Sequence, residues 1–396
     1  MIFFWMGKMG DIVGIICEYN PFHRGHKYQI DKIKEKMPDA TIIGIMSGNV
    51  VQRGEFAIIG KYKRAFFASK SGLDGVFEIP YPYCGSTAEI FANAGVEIAH
   101  QLGCNYICFG TEHSQLSELE KIAEIIDSGD FEAEIRRHIG DNISYLNAKQ
   151  IALEKYGYSI PKYSNDILAL EYIRAIRNKK INLEYFSIER IGAKYNDLME
   201  NEIMSASAIR NFFNDHNTFR SVPKSLENDY IDLINNGSYL SIDKVNDFLY
   251  HYAVLAPREA FDNAFDSCLE IGAIIKSSAR ESKNSIRFFE ELSSRAYTSS
   301  RIKRVILYAL FGIDEVDKKP DFSILLYAND KCKQMLKSIR KSKDFSVLTK
   351  TADAKALSEK SKKQFEALLK LDELYLSFLK EPSPPKSAYE FKPIIK

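Results

Sequence analysis

At 396 residues the chain is long for a single small core, and length alone favours two domains or three. Hydrophobic residues make up 45% and charged residues 27%, ordinary for a globular protein, and no stretch is long and apolar enough to predict a membrane span. The net charge of +1 conceals an asymmetry: from Lys276 onward there are 26 Lys and Arg against 16 Asp and Glu, which leaves 28 against 37 in residues 1–275. A basic carboxy-terminal third on an acidic remainder favours a polyanion partner such as nucleic acid.

The first residues, Met1 to Met6, are apolar but far too short for a signal-peptide core, and Met9 is an alternative start. Six cysteines at 17, 84, 104, 108, 268 and 332 lack the paired spacing of a zinc site and the density of a secreted scaffold. A cytoplasmic location is therefore expected, with Cys104 and Cys108 as packing residues.

Strand-like and helical segments alternate through the first half. Ile12–Cys17, Ala40–Met46, Gly75–Ile79 and Tyr106–Gly110 read as strands, and Tyr28–Lys36, Lys61–Ser71 and Glu89–Leu102 as helices. That order predicts an α/β fold, a Rossmann-like domain with a parallel sheet over residues 9–222. A helical insertion is expected at about 114–158, then a helix over Asp166–Lys179, a strand over Phe186–Arg190 and a helix from Ser205 to Phe213. Residues 223–380 read as a mostly α-helical, basic domain. Within it Ser299–Gly312 has a Ser cap, three clustered cations and a terminal Gly. Residues 381–396 form a Pro-rich tail.

In open parallel sheets ligands bind beyond the carboxyl ends of the strands. Three predicted loops fall there: Asn20 to His26, Ser47-Gly48-Asn49 and Gly110-Thr111-Glu112. The first carries His23-Arg24-Gly25-His26, with an Asn-Pro turn before it and a helix after it. Two imidazoles three residues apart beside free helix N-terminal amides suit a nucleotide's phosphates, and Gly25 suits close approach of the backbone. A zinc reading would need further His or Cys ligands nearby, and none is present; no metal-ligating set is assigned.

Gly54-Glu-Phe-Ala-Ile-Ile-Gly60-Lys61-Tyr62 is a poor P-loop, because five residues separate the glycines and Tyr62 stands in place of the Ser or Thr. Lys61 and Arg64 read instead as a helical cation pair able to reach a triphosphate. Ser205, Ser207 and Arg210 open a second helix whose N-terminus could hold the far end of the same triphosphate.

Six segments together resemble the bacterial tRNA(Met) cytidine acetate ligase family. They are Glu18 to His26, Met46 to Gly54, Phe109-Gly-Thr-Glu112, Ser164 to Leu168, Glu189-Arg-Ile-Gly192 and Ser205 to Arg210. The likeness extends into Thr298-Ser-Ser-Arg-Ile-Lys-Arg304. His-x-Gly-His and Ser-x-Ser-x-Ile-Arg are shared with the wider nucleotidyltransferase superfamily. Cys17, where an aliphatic residue is usual, and Ser164, where a Pro is frequent, are departures.

The resemblance implies a two-step reaction in the cytoplasm. Acetate and ATP would give acetyladenylate and pyrophosphate, and the acetyl group would then pass to the wobble cytidine of elongator tRNA(Met), forming N4-acetylcytidine. It implies an ATP site made by Glu18, Tyr19, Asn20, Pro21, Phe22, His23, Gly25, His26, Gly110, Asn165, Arg190 and Ile191. His23, His26 and Lys61 are the expected catalytic groups, magnesium is expected with the triphosphate, and Arg301, Lys303, Arg304 and Lys331 to Lys343 are expected to hold the tRNA. A small-molecule adenylyltransferase and a non-catalytic, nucleotide-regulated RNA-binding protein are the competing readings. The sequence leaves the oligomeric state open.

Overall fold

The computed structural model describes residues 10–112, 115–139, 143, 145–190, 206–211, 213, 221–293, 297–338, 344–384 and 392–395. The first strand, β1 (Ile12–Cys17), leads through the Asn-Pro turn into α1 (Arg24–Lys36). There follow β2 (Thr41–Ser47), a small antiparallel pair of β3 (Val50–Val51) and β4 (Glu55–Phe56), α2 (Lys61–Lys70) and β5 (Gly75–Ile79). Next come α3 (Ala88–Gln101) and β6 (Tyr106–Thr111). The expected insertion is α4 (Leu116–Ile126), α5 (Gly129–His138) and α6 (Tyr145–Glu154). Then α7 (Ser164–Lys179), β7 (Glu184–Glu189) and α8 (Ala206–Asn211) complete the first half.

The second half is mostly helical, as the sequence predicts. It holds α9 (Glu227–Asn235), α10 (Ile242–Leu255), α11 (Arg258–Asp262), α12 (Leu269–Glu281), α13 (Ser285–Ser293) and α14 (Ser299–Phe311). Beyond these lie β8 (Phe322–Ala328), α15 (Asp330–Ser338), β9 (Ser346–Leu348), α16 (Glu359–Ser377) and β10 (Ile394–Ile395).

The main sheet runs β10-β8-β5-β2-β1-β6-β7, with β9 also paired to β8. Its strands are parallel except where β8 runs antiparallel to β5. Every residue of β2, β5 and β8 is buried, which is what a sheet covered on both faces requires of its strands. The same continuity hides β8 in the sequence, because a seven-residue apolar run without alternation reads equally as a piece of buried helix.

From β1 the chain steps to β2 and β5 on one side, and to β6 and β7 on the other. The strand order therefore reverses between β1 and β6, and a crevice opens beyond their carboxyl ends.

Candidate active site

A cavity of about 640 Å³ occupies that crevice. Its floor is the turn after β1. Tyr19 sits there at φ +50°, a left-handed conformation unusual for an aromatic residue, and its ring packs edge-on against Phe22 and His26. Asn20 is buried and accepts from Ile58 N at 2.8 Å, tying the turn to the segment before α2.

His23 caps α1. Its Nδ1 accepts from Gly25 N at 3.0 Å, and its own backbone N–H donates to His26 Nδ1 at 3.2 Å. The two rings stack at 3.8 Å between centroids. A Cβ on Gly25 would lie 2.9 Å from His23 Cε1, so the glycine first of all makes room for the imidazole it follows. Burial pushes the His23 pKa down to about 3, and burial with the neighbouring ring pushes His26 well below the usual histidine range. Both rings are neutral at pH 7. A neutral imidazole that accepts at Nδ1 carries its proton on Nε2. His23 Nε2 is buried and meets no hydrogen-bond partner among the described residues, so it is a donor aimed at something the fold itself does not supply.

The cavity's other walls come from distant parts of the chain. Gly110 lies at the end of β6 and Glu112 follows it, Asn165 stands at the start of α7, and Arg190 follows β7. Asn165 Nδ2 donates to Glu112 Oε1 at 2.6 Å, and Arg190 Nη1 donates to Asn165 Oδ1 at 3.2 Å. Buried Asp166 steadies this wall by accepting from Glu112 N at 2.7 Å. Opposite, Arg210 of α8 donates to Asn20 O at 2.7 Å and to Ser207 Oγ at 3.1 Å. Glu18, Tyr19, Asn20, His23, His26, Gly110, Asn165, Arg190, Ser207 and Arg210, far apart in sequence, are thus brought round one space, whereas Pro21, Phe22 and Gly25 of the expected site do not line it. Ile191 and Ser205 lie outside the described residues, as do Lys341 and Lys343.

Lys61 and Arg64 depart from expectation. Both are buried and neither lines the cavity. Lys61 Nζ donates to Glu78 Oε2 at 2.7 Å and to Asp372 Oδ2 at 2.5 Å, while Asn49 bridges Asp372 Oδ1 and the Lys61 backbone N–H. Burial opposes the Lys61 charge, but the two carboxylates outweigh it and hold the ammonium protonated. Arg64 donates to the carbonyls of Ile59, Glu18, Ser47 and Gly48. Helical spacing shows that the two cations share a face but not that the face turns inward, and Asp372 lies 311 residues away.

The three cations of α14 are not free either. Arg301 pairs with Asp266 at 3.2 Å, Lys303 with Glu55 at 2.7 Å, and buried Arg304 with Asp266 at 3.1 Å. Lys331 donates to the Ala40 carbonyl at 2.7 Å. Thr298 and Ser300, at the start of α14, line the cavity mouth, so the carboxy-terminal region closes the site that the first half builds.

The segment Gln52-Arg53-Gly54 has no assigned role in the sequence beyond its family likeness, yet it organises this mouth. Gln52 N donates to Glu18 Oε1 at 2.9 Å, and Arg53 Nη2 donates to Ser164 Oγ at 2.7 Å. Gly54, at φ +71°, lies where a Cβ would fall 2.9 Å from Arg304 N, so α14 seats directly on it. Phe91, Phe109, Leu168 and Tyr172 supply apolar lining that nothing local in the sequence marks.

A neutral donor pair at a helix N-terminus, two arginines and an apolar wall at a sheet's switch point define a nucleotidyl-transfer site. The chain belongs to the HIGH Nucleotidyl Transferase family, whose model matches residues 10–390. It is 33% identical to a tRNA(Met) cytidine acetate ligase of Thermosipho africanus, over 97% of this chain and 99% of that protein. A tRNA(Met) cytidine acetate ligase of Caldanaerobacter subterraneus is 32% identical, over 98% and 100%. Likeness of that degree along the whole length places the chain in the tRNA(Met) cytidine acetate ligase family, a family of enzymes. The crystal structure of Thermotoga maritima TmcAL bound with alpha-thio ATP has the same fold, with a TM-score of 0.88 at 24% identity, covering 97% of this chain and 99% of that one. The resemblance carried by the sequence motifs is borne out. Among the described residues, no helix is long and apolar enough to cross a membrane.

Proposed function

We propose that this enzyme joins acetate to the α-phosphate of ATP as acetyladenylate, releases pyrophosphate, and passes the acetyl group to the wobble cytidine of elongator tRNA(Met), leaving AMP and N4-acetylcytidine. The observation that carries the reading is the unpartnered buried donor at His23 Nε2, stacked on a second neutral imidazole in the cavity. The names of the relatives supply the acceptor, and the solved neighbour with alpha-thio ATP supports the nucleotide.

Acetate is already ionised at neutral pH, so its attack on phosphorus needs no general base. The protein has to hold the nucleophile in line and meet the charge that gathers on the phosphoryl oxygens. His23 and His26 donate through Nε2 to those oxygens. Arg210 and Ser207 take the far end of the triphosphate, while Asn165, Arg190 and Gly110 hold the nucleoside. Lys61 has no part in this assignment, since its three donor directions are spent on carboxylates. Magnesium would enter with the nucleotide and would neutralise charge on the phosphates. Among the described residues no group of three His, Cys, Asp or Glu side chains is placed to grip an ion.

In the second step an unstacked cytosine enters past Thr298 and Ser300, with the basic carboxy-terminal region holding the RNA backbone. Arg301 and Lys303, half-buried on α14, exchange their carboxylate partners for phosphates in this reading; Arg304 is too deeply held to do so.

The test is incubation of the purified chain with labelled acetate, ATP and a set of tRNA transcripts, followed by nucleoside analysis. Label in N4-acetylcytidine, confined to elongator tRNA(Met) and dependent on ATP, is the expected result. Transfer of AMP to a small molecule with no label in RNA would refute the reading.

A further inference from the structure

Three carboxylates line the cavity: Glu18, Glu55 and Glu112. Two of them are ion-paired. Glu55 is paired with Lys303 at 2.7 Å, and Glu112 accepts from Asn165 Nδ2 at 2.6 Å with Arg190 nearby at 3.9 Å. Glu18 differs. One of its oxygens accepts from a neutral donor, Gln52 N at 2.9 Å, and among the described residues neither oxygen is ion-paired with a cation, as Glu55 and Glu112 are. Its position is fixed from both ends, because Arg64 holds its backbone carbonyl and the β3–β4 segment holds its carboxylate.

A carboxylate without an ion pair is of no use to attacking acetate, which has no proton to give. It is of use to the amine that follows. Resting on the acetyladenylate reading, we infer that Glu18 is the general base of the transfer step, accepting the proton that the cytidine exocyclic amine sheds as it attacks the acetyl carbonyl. The amine nitrogen forms a bond to the carbonyl carbon. The carbon–oxygen bond to the phosphate breaks, AMP leaves with that electron pair, and the amine proton passes to Glu18 and then to water. Burial raises the carboxyl's affinity for a proton, opposed by the Gln52 N–H and by Arg210, Arg64 and Arg53, the direction that makes a carboxylate a stronger base. The side chain's location agrees with the role: Glu18 directly precedes the turn that carries His23 and His26, and Gln52 and Arg53 at the mouth lie beside it.

Glu18→Gln tests this cleanly, because the amide still offers an oxygen to Gln52 N. Preformed acetyladenylate is mixed with elongator tRNA(Met) in a single turnover, with no ATP or acetate present, across a range of pH. Wild-type protein is expected to transfer acetyl with a rate that rises with pH and levels off. The Gln variant is expected to lose about 10²-fold or more and with it the rising limb, while Glu18→Asp recovers part of both. Transfer by the Gln variant within a few-fold of wild type, or the same rising limb in both, would overturn the assignment and leave the acetyladenylate reading standing. No transfer by wild-type protein would instead refute that reading, and the base with it.

Discussion

Two clusters of buried polar side chains stand at the carboxyl ends of neighbouring strands, and they behave oppositely. Around Lys61, the ammonium and the backbone N–H both meet acceptors: Glu78 comes from β5, Asp372 from α16 and Asn49 from the loop after β2. Around His23, the Nδ1 atoms are satisfied by backbone, while the buried Nε2 of His23 meets no partner among the described residues. Both clusters consist of residue types that a sequence marks as catalytic. What separates them is saturation: a buried polar group with all its partners in the fold holds the fold together, and one left a partner short is poised for a ligand.

The largest expected effect bears on the saturated side. Lys61→Met leaves two carboxylates buried without their cation and should cost about 3–5 kcal/mol of stability in denaturant unfolding. Replacing Lys61, Glu78 and Asp372 together by apolar residues of similar volume should recover much of that. A fully stable Lys61→Met enzyme that has lost only activity would break the comparison.

On the open side, His23→Asn retains an oxygen to cap α1, so stability should change by about 1 kcal/mol or less. Acetate-dependent ATP–pyrophosphate exchange should nevertheless fall by about 10²–10³-fold, the usual loss for a donor to developing charge. An equal loss of fold and activity would make His23 merely another structural residue.

The same contrast gives a pH dependence. Burial holds the folded His23 pKa at about 3, whereas an unfolded histidine protonates near 6.5. Between those values the unfolded chain binds more protons, so the stability of the neutral rings is complete above about pH 6.5 and is lost as pH falls toward 3. Unfolding titrations at pH 7 and pH 5 should show a smaller drop for His23→Asn than for wild type. An identical drop would mean that the folded rings take up protons freely.

The smallest effect belongs to α14. Lys303→Ala removes a partly exposed ion pair with Glu55 and should shift stability by less than about 1 kcal/mol, while weakening retention of tRNA on a filter. Unchanged tRNA binding would move the RNA contact elsewhere on the basic region.

Much of the fold is legible because its signals are local. The apolar run before Cys17, the Asn-Pro turn and the helical spacing after His26 announce the strand, loop and helix that hold the imidazoles. The alternation that follows announces the parallel sheet. Pairings over long separations are not legible in this way. Nothing near Lys61 reveals Asp372, nothing near Glu18 reveals Gln52 as its donor, and nothing in Phe322–Ala328 distinguishes a buried strand of the main sheet from the helices around it. Asn165 and Arg190 enter the site through family likeness, since their spacing alone says only that each sits near an element's end, whereas Arg210 is readable with Ser205 and Ser207 as a helix start.

The central claim is that the His23 and His26 cavity makes an acyl-adenylate from acetate. Its most direct test is ATP–pyrophosphate exchange by the purified wild-type chain, with and without acetate and with no tRNA present, beside folded His23→Asn. Exchange that requires acetate and collapses in the variant is the expected result. Exchange that proceeds without acetate, or that survives the substitution undiminished, would contradict the account.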